Sequence, residues 1–164
     1  FGPVSGAHFN PAVTLVFRLK GDIDTVEALA YVAVQVAAGV VGVWIAHMMF
    51  DQEWAQVSVR ARTGPGQWLS EGVATFGLVM TILLGIRAKA NVAVMVGLYI
   101  TAAYWFTAST SFANPAVTIA RSLTASFSGI APADVAGFIL AQIAGAVAAL
   151  GVCRLVDAAG ETAD

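Results

Sequence analysis

The 164-residue sequence predicts an all-α membrane protein arranged as an inverted repeat, with four transmembrane helices and two re-entrant half-helices. Three observations lead there. The composition is that of a bilayer protein: 59% of residues are hydrophobic, 11% are charged and the mean hydropathy is +0.80, well outside the range of ordinary water-soluble domains. Several apolar runs are long enough to cross a membrane. Finally, an eight-residue pattern recurs with five positions identical: His8-Phe9-Asn10-Pro11-Ala12-Val13-Thr14-Leu15 returns as Phe112-Ala113-Asn114-Pro115-Ala116-Val117-Thr118-Ile119, an internal repeat that organises everything else.

Taken in order, the chain opens on Phe1-Gly2-Pro3-Val4-Ser5-Gly6, which has neither the basic region nor the apolar region of a signal peptide and reads as mid-protein sequence. Asn10-Pro11 then starts a helix, because Asn is a strong N-cap and Pro is favoured at the first helical position, where its missing N–H costs nothing. A helix from Pro11 to Leu19 covers roughly 13 Å, about half of a hydrocarbon core of ~30 Å. Three apolar spans follow, Thr25 to Phe50, Gln67 to Ile86 and Ala90 to Ala108. Asn114-Pro115 starts a second half-helix to Leu123, and Ala133 to Val156 is the last span. The connections are short and hold the charges: Arg18 to Glu27, Asp51 to Gly66 with its Gly64-Pro65-Gly66 turn, Arg87 to Lys89, and the tail from Asp157. Residues 1–164 therefore read as a single domain, with the remainder of a first half over 1–50 and a second half over 67–156.

The repeat extends past the octapeptide. Gln35, in Ala33-Val34-Gln35-Val36-Ala37, is matched by Gln142, in Leu140-Ala141-Gln142-Ile143-Ala144, 25 residues after Asn10 and 28 after Asn114 respectively. Three spans separate the two Asn-Pro-Ala segments, an odd number, so the two enter from opposite faces. Asn114 has 47 residues and two spans between it and Gln67, whereas nine residues precede Asn10; equivalence of the halves predicts two further spans before residue 1, about 40 residues, and six spans in the complete protein. The cations agree with this topology. Arg18, Lys20, Arg87, Lys89 and Arg154 share one side, expected to be cytoplasmic, and Arg60, Arg62 and Arg121 the other.

Several chemistries are disfavoured. A net charge of −2 offers no footprint for nucleic acid. Cys153 stands in an apolar helix with no second cysteine to pair with, and reads as packing. His8 and His47 lack metal-ligand spacing, and no nucleophile or acid–base pair is visible near the midplane, so no metal, cofactor or catalytic residue is expected. The small residues Gly39, Gly42, Gly137, Ala141, Gly145 and Ala149 recur at helical intervals, which suits close packing between spans. Two half-helices of this length could meet at the midplane. Their N-termini would each place roughly half a positive charge there, leaving the Asn10 and Asn114 amides free to donate to a passing solute and the site hostile to cations.

The paired motifs resemble those of the aquaporin, or major intrinsic protein, family. Ser5-Gly6-Ala7-His8-Phe9-Asn10-Pro11-Ala12-Val13-Thr14 looks like the family's first pore loop, Asn114-Pro115-Ala116 like the second, and Glu71-Gly72-Val73-Ala74-Thr75-Phe76 like its fourth span. The resemblance implies a homotetramer in the lipid bilayer with one pore per protomer, an NPA pair at Asn10, Pro11, Ala12 and Asn114, Pro115, Ala116, a Glu71 that braces the second loop, and a His8 bordering the cytoplasmic part of the pore. Glu71 is also the one acidic residue well inside a span, where an ionisable group is expected to have a partner or a function. The departure is at Val117, which stands where the family carries the arginine of its outer filter. Arg121, four residues on and one helical turn outward, is either a partial substitute or a vestibule or packing arginine. Ser111 matches the loop residue of the filter; for the fifth-span position Tyr104 is preferred and Ala102 is the alternative. Thr118 and Phe138-Ile139 give mixed signals between water and glycerol channels. The Val117 loop most resembles bacterial channels associated with uncharged metalloid acids such as arsenite, a likeness that is analogy for substrate. Three function classes follow: a passive channel for water and small neutral solutes in a bacterial inner membrane, a strictly water-selective channel, and a non-conducting adhesive or scaffold protein of the same fold.

Overall fold

The computed structural model describes residues 1–161, and all of its regular structure is helical. A single turn, α1 (Gly2–Ser5), precedes the first half-helix α2 (Pro11–Lys20). Then come α3 (Thr25–Met49), α4 (Pro65–Arg87), α5 (Val92–Phe106), the second half-helix α6 (Pro115–Arg121), a 3-10 turn at Pro132–Asp134 and α7 (Val135–Glu161). Local chemistry sets most boundaries. Asp24 caps α3 by accepting from the Glu27 N–H at 2.8 Å, and Asn91 caps α5 through Val94 at 3.2 Å. Gly21 ends α2 with φ 88°, and Gly64 takes φ 105° just before Pro65 opens α4, conformations in which a side chain would be strained.

Three of the expected spans, within α3, α4 and the Pro132–Ala159 segment, are long and apolar enough to cross a bilayer. The fourth is shorter than the sequence suggests. In place of Ala90 to Ala108, α5 has 15 residues, about 22 Å of helix against a core of ~30 Å. Asn91 starts it late, and Thr107 leaves it in an extended conformation while its hydroxyl bonds back to the Ala103 carbonyl at 2.7 Å. The chain there turns away into the loop that carries the second motif.

The half-helices enter from opposite ends of the molecule. The C-terminal end of α2 lies with the C-terminal ends of α4 and α7: Arg154 donates to the Leu19 carbonyl at 2.7 Å and Arg87 pairs with Asp157 at 2.6 Å. The C-terminal end of α6 lies with the loop that leads into α4: the Ser58 N–H donates to Ser122 O at 2.8 Å and the Ala131 N–H to Arg60 O at 2.7 Å. Because α4 runs from one of these ends to the other, α2 and α6 point in opposite directions and the repeat is inverted.

The tightest packing is between α4 and α7. A Cβ added at Gly145 would collide with the backbone of Gly72, and one at Gly72 would sit 3.5 Å from the Ala141 carbonyl. Small side chains let these backbones approach, the usual means of association where lipid removes any hydrophobic drive between helices. Around that seam Val79, Ala146, Ala149 and Leu150 form a buried cluster that also takes Ala12 and Val16 from α2. By contrast, α3 buries only Ala28 and His47 and exposes Val26, Leu29, Val34 and Val41. A helix apolar all round belongs in a membrane or among other membrane helices.

Gly145→Ala is therefore expected to force α4 and α7 apart and cost about 1–3 kcal/mol. Gly42→Ala, whose methyl would meet open space, should leave stability unchanged or slightly raised. Thermal unfolding of the two variants in detergent compares them; equal melting would remove the seam from this account.

Candidate functional site

The two repeated loops adopt the same backbone conformation. In the first, Ala7 and Phe9 have φ 51° and 47°; in the second, the matching Ser111 and Ala113 have φ 49° and 47°. Non-glycine residues rarely sit in this region, and each costs on the order of 1 kcal/mol or more, so the surroundings must hold them there. Each motif asparagine follows in an extended conformation and caps its own half-helix: Asn10 Oδ1 accepts from Ala12 N at 2.9 Å, and Asn114 Oδ1 from Ala116 N at 3.0 Å.

The asparagine amides, expected to be free, each have one N–H engaged by the protein. Asn10 Nδ2 donates to the Ala113 carbonyl at 2.7 Å, and Asn114 Nδ2 to the Phe9 carbonyl at 2.9 Å. Each loop thus spends one amide N–H on the other loop's backbone. The reason is geometric: the left-handed residue before each asparagine turns its carbonyl toward the facing loop, where the nearest donor is the opposite amide. Among the described residues, the second N–H of each amide has no protein partner.

Behind the second loop stands Glu71, fully buried. Its two carboxylate oxygens accept from the Phe112 and Ala113 N–H groups, both at 2.8 Å. Gln142 Nε2 donates to the same carboxylate at 2.6 Å and to Thr118 Oγ1 at 2.8 Å. In the first half the matching pair repeats this contact, with Gln35 Nε2 donating to Thr14 Oγ1 at 3.0 Å. The sequence showed the glutamines and threonines recurring, but not that each glutamine ties its span to the half-helix of its own repeat. Thr14 Oγ1 also meets His8 Nδ1 at 3.3 Å, and the His8 ring lies against Phe17, centroids 4.4 Å apart.

Asn10, Asn114, His8, Ser111, Val117, Tyr104 and Arg121 all line one cavity of about 580 Å³, whose remaining wall is largely apolar, including Leu78, Ile82, Val96 and Ile100. Pro11, Ala12, Pro115 and Ala116 are outside the lining and act as helix starts; Glu71 also lies behind it. Tyr104 continues the Val92, Val96, Ile100 stripe of α5, whereas Ala102 is not on that face. Ser111 lines the cavity, but its Oγ is buried and, among the described residues, has no hydrogen-bond partner. The Arg121 guanidinium sits 4.3 Å over the Phe112 ring.

One contributor was missed by sequence reasoning. Arg62, grouped there only as an outer-side charge, is 6% exposed. It donates to the carbonyls of Gly129 at 2.7 Å, Ser109 at 3.0 Å and Phe127 at 3.0 Å, and its guanidinium lies 5.0 Å from the centre of the Phe112 ring. Burial first, then the nearby Arg60 and Arg121 charges, lower its pKa, with Glu71 opposing; an arginine keeps its proton regardless. A lone loop arginine carries no pattern that would announce this latch.

Glu71→Gln replaces one of the two acceptor oxygens facing Phe112 and Ala113 by an NH2. At least one buried backbone N–H is then orphaned, at about 1–3 kcal/mol. The expected outcome is lower thermal stability in detergent with little change in the ratio of solute to water flux. A variant as stable as the parent but altered in selectivity would make Glu71 a group of the conduction path instead.

The comparisons with known proteins agree with this geometry. The family model of the major intrinsic proteins matches residues 1–92. The chain is 60% identical over 154 residues to an aquaglyceroporin, AqpS, of Rhizobium meliloti, covering 93% of this chain and 66% of that protein. It is 33% identical over 94 residues to the glycerol uptake facilitator protein of Bacillus subtilis (50% of this chain, 34% of the relative). With aquaporin-5 of Rattus norvegicus it shares 34% over 86 residues (49% and 32%). The chain thus spans just under two thirds of the rhizobial relative and about a third of the other two. Matched over more than half its length, and carrying both loops in one inverted architecture, the chain belongs to the major intrinsic protein family.

Proposed function

We propose that the complete protein is a passive channel for water and small uncharged solutes, glycerol-like polyols and neutral metalloid acids among them. The observation that carries this reading is the single cavity in which both half-helix N-termini and both motif amides converge. Helix N-termini concentrate partial positive charge, which disfavours cations. The N–H left on each amide is a donor for a solute oxygen, and the apolar wall offers an ion no replacement for its hydration. The solute is transported and not converted, as family membership supports.

The filter is read as Val117, Ser111 and Tyr104. A valine there supplies neither a fixed donor nor a charge, so solutes larger than water gain entry, and the names of the rhizobial and Bacillus relatives favour the same class. Arg121 flanks the filter from one turn away and is held against Phe112, which supports a role in shaping the outer mouth. The alternative reading is a strictly water-selective pore. The complete protein is further read as a homotetramer with one pore per protomer in a bacterial inner membrane. Its Arg18, Lys20, Arg87, Lys89 and Arg154 end faces the cytoplasm, following the positive-inside tendency.

Stopped-flow light scattering on proteoliposomes of the complete protein, with water, glycerol and a neutral metalloid acid, tests the assignment. Flux of all three above protein-free vesicles is expected; water alone would favour the water-only pore, and none would favour a scaffold. Within that assay Val117→Arg should suppress glycerol and metalloid flux well before water flux, since it adds a charge and a fork of donors at the proposed filter. Arg121→Ala is made alongside, because two guanidinium groups one turn apart repel and the new side chain would otherwise turn aside. An unchanged glycerol-to-water ratio in well-folded protein would remove position 117 from the filter.

A further inference from the structure

A second cavity, of about 360 Å³, lies at the far end of the molecule from the outer mouth, where α2, α4 and α7 all terminate. Its rim carries three cations from three different helices, Lys20, Arg87 and Arg154, and one acid, Asp157; its floor is Leu83, Leu84 and Leu150. We propose that this cavity binds the phosphate headgroup of an anionic phospholipid, with the cations on the phosphate and an acyl chain on the leucine floor.

The cations have more capacity than the protein uses. Arg154 caps α2 through the Leu19 carbonyl, and Arg87 pairs with Asp157. Lys20 pairs with Asp22 at 2.8 Å and lies 5.1 Å over the Phe17 ring. Among the described residues each engages one hydrogen-bond acceptor and leaves most of its donors open. Capping helix C-termini, the plain alternative, accounts for Arg154; it does not account for Lys20 and Arg87, whose partners are side-chain carboxylates. Both of those pairs are part-exposed, Arg87 at 52% and Asp157 at 56%, so they hold little energy against a competing anion. The depth of the site selects the source. α4 and α7 cross the membrane, which places their charged ends at the headgroup level and the leucine floor just inside the hydrocarbon, where a lipid offers both halves of the complement. A free phosphate ion would leave the floor unused.

The test uses the full-length protein in detergent micelles with added phosphatidylglycerol, phosphatidylcholine or inorganic phosphate, read as bound lipid by native mass spectrometry and as melting temperature. Phosphatidylglycerol is expected to be retained and to raise the melting temperature, and the other two to do neither. In Lys20→Gln with Arg87→Gln, each neutralised cation should weaken retention about fivefold, the equivalent of about 1 kcal/mol per basic residue at an anionic surface. Lys20→Arg with Arg87→Lys should restore it. Melting without lipid should be unaffected, since the lost pairs are exposed, and Arg154 is left alone because it caps α2. Equal retention of phosphatidylcholine, undiminished binding in the Gln variant, or stabilisation by inorganic phosphate matching that by lipid would each overturn the proposal.

Discussion

Two hydrogen bonds hold the centre of this protein together, from Asn10 to the Ala113 carbonyl and from Asn114 to the Phe9 carbonyl. Each joins residues about a hundred positions apart, and each needs the facing loop to be bent into the left-handed region just before its asparagine. Neither loop is stable in that form from its own sequence, because non-glycine residues there are strained. The loops stabilise one another, and in doing so they set the half-helix N-termini end to end and fix which way the amides face. The shape of the main cavity follows from this join, as does the placement of its donors.

The rest of the fold supports the join unequally. In both halves a glutamine from a long helix holds the threonine one turn into the half-helix, Gln35 to Thr14 and Gln142 to Thr118. The second loop has more: Glu71 accepts two of its N–H groups, and Arg62 gathers three carbonyls around Phe112 from outside. Among the described residues no carboxylate does the same for the first loop. This asymmetry puts the most heavily hydrogen-bonded loop of the site beside Ser111, Val117 and Arg121, where discrimination between solutes is proposed to occur. A rigid filter can reject by size; a soft one would adjust to what enters.

Much of this was legible in the residues, for identifiable reasons. The repeated octapeptide announced two half-helices because Asn and Pro have strong positional meaning at a helix start, and an odd number of spans between the copies required opposite entry. Glu71 stood out because an acid inside an apolar run is costly unless it is satisfied. The cross-bonds were not legible: their acceptors are backbone carbonyls, which every residue has, so the amides read as free. The latch of Arg62 was hidden for a similar reason, its partners again being carbonyls in a loop without periodicity. The length of α5 was overestimated because hydropathy runs on through Thr107, whereas the helix ends where that hydroxyl turns back on Ala103.

The central claim, that the two loops depend on each other, is tested most directly by a double-mutant cycle on Asn10→Ala and Asn114→Ala, read as unfolding free energy in one detergent or lipid. Each substitution alone also removes a helix cap, worth about 1 kcal/mol, but those local losses cancel in the cycle. Mutual dependence predicts a coupling energy of about 0.5–3 kcal/mol between the two sites. Losses that add to within about 0.3–0.5 kcal/mol would mean that each loop holds its shape alone, and would contradict the account.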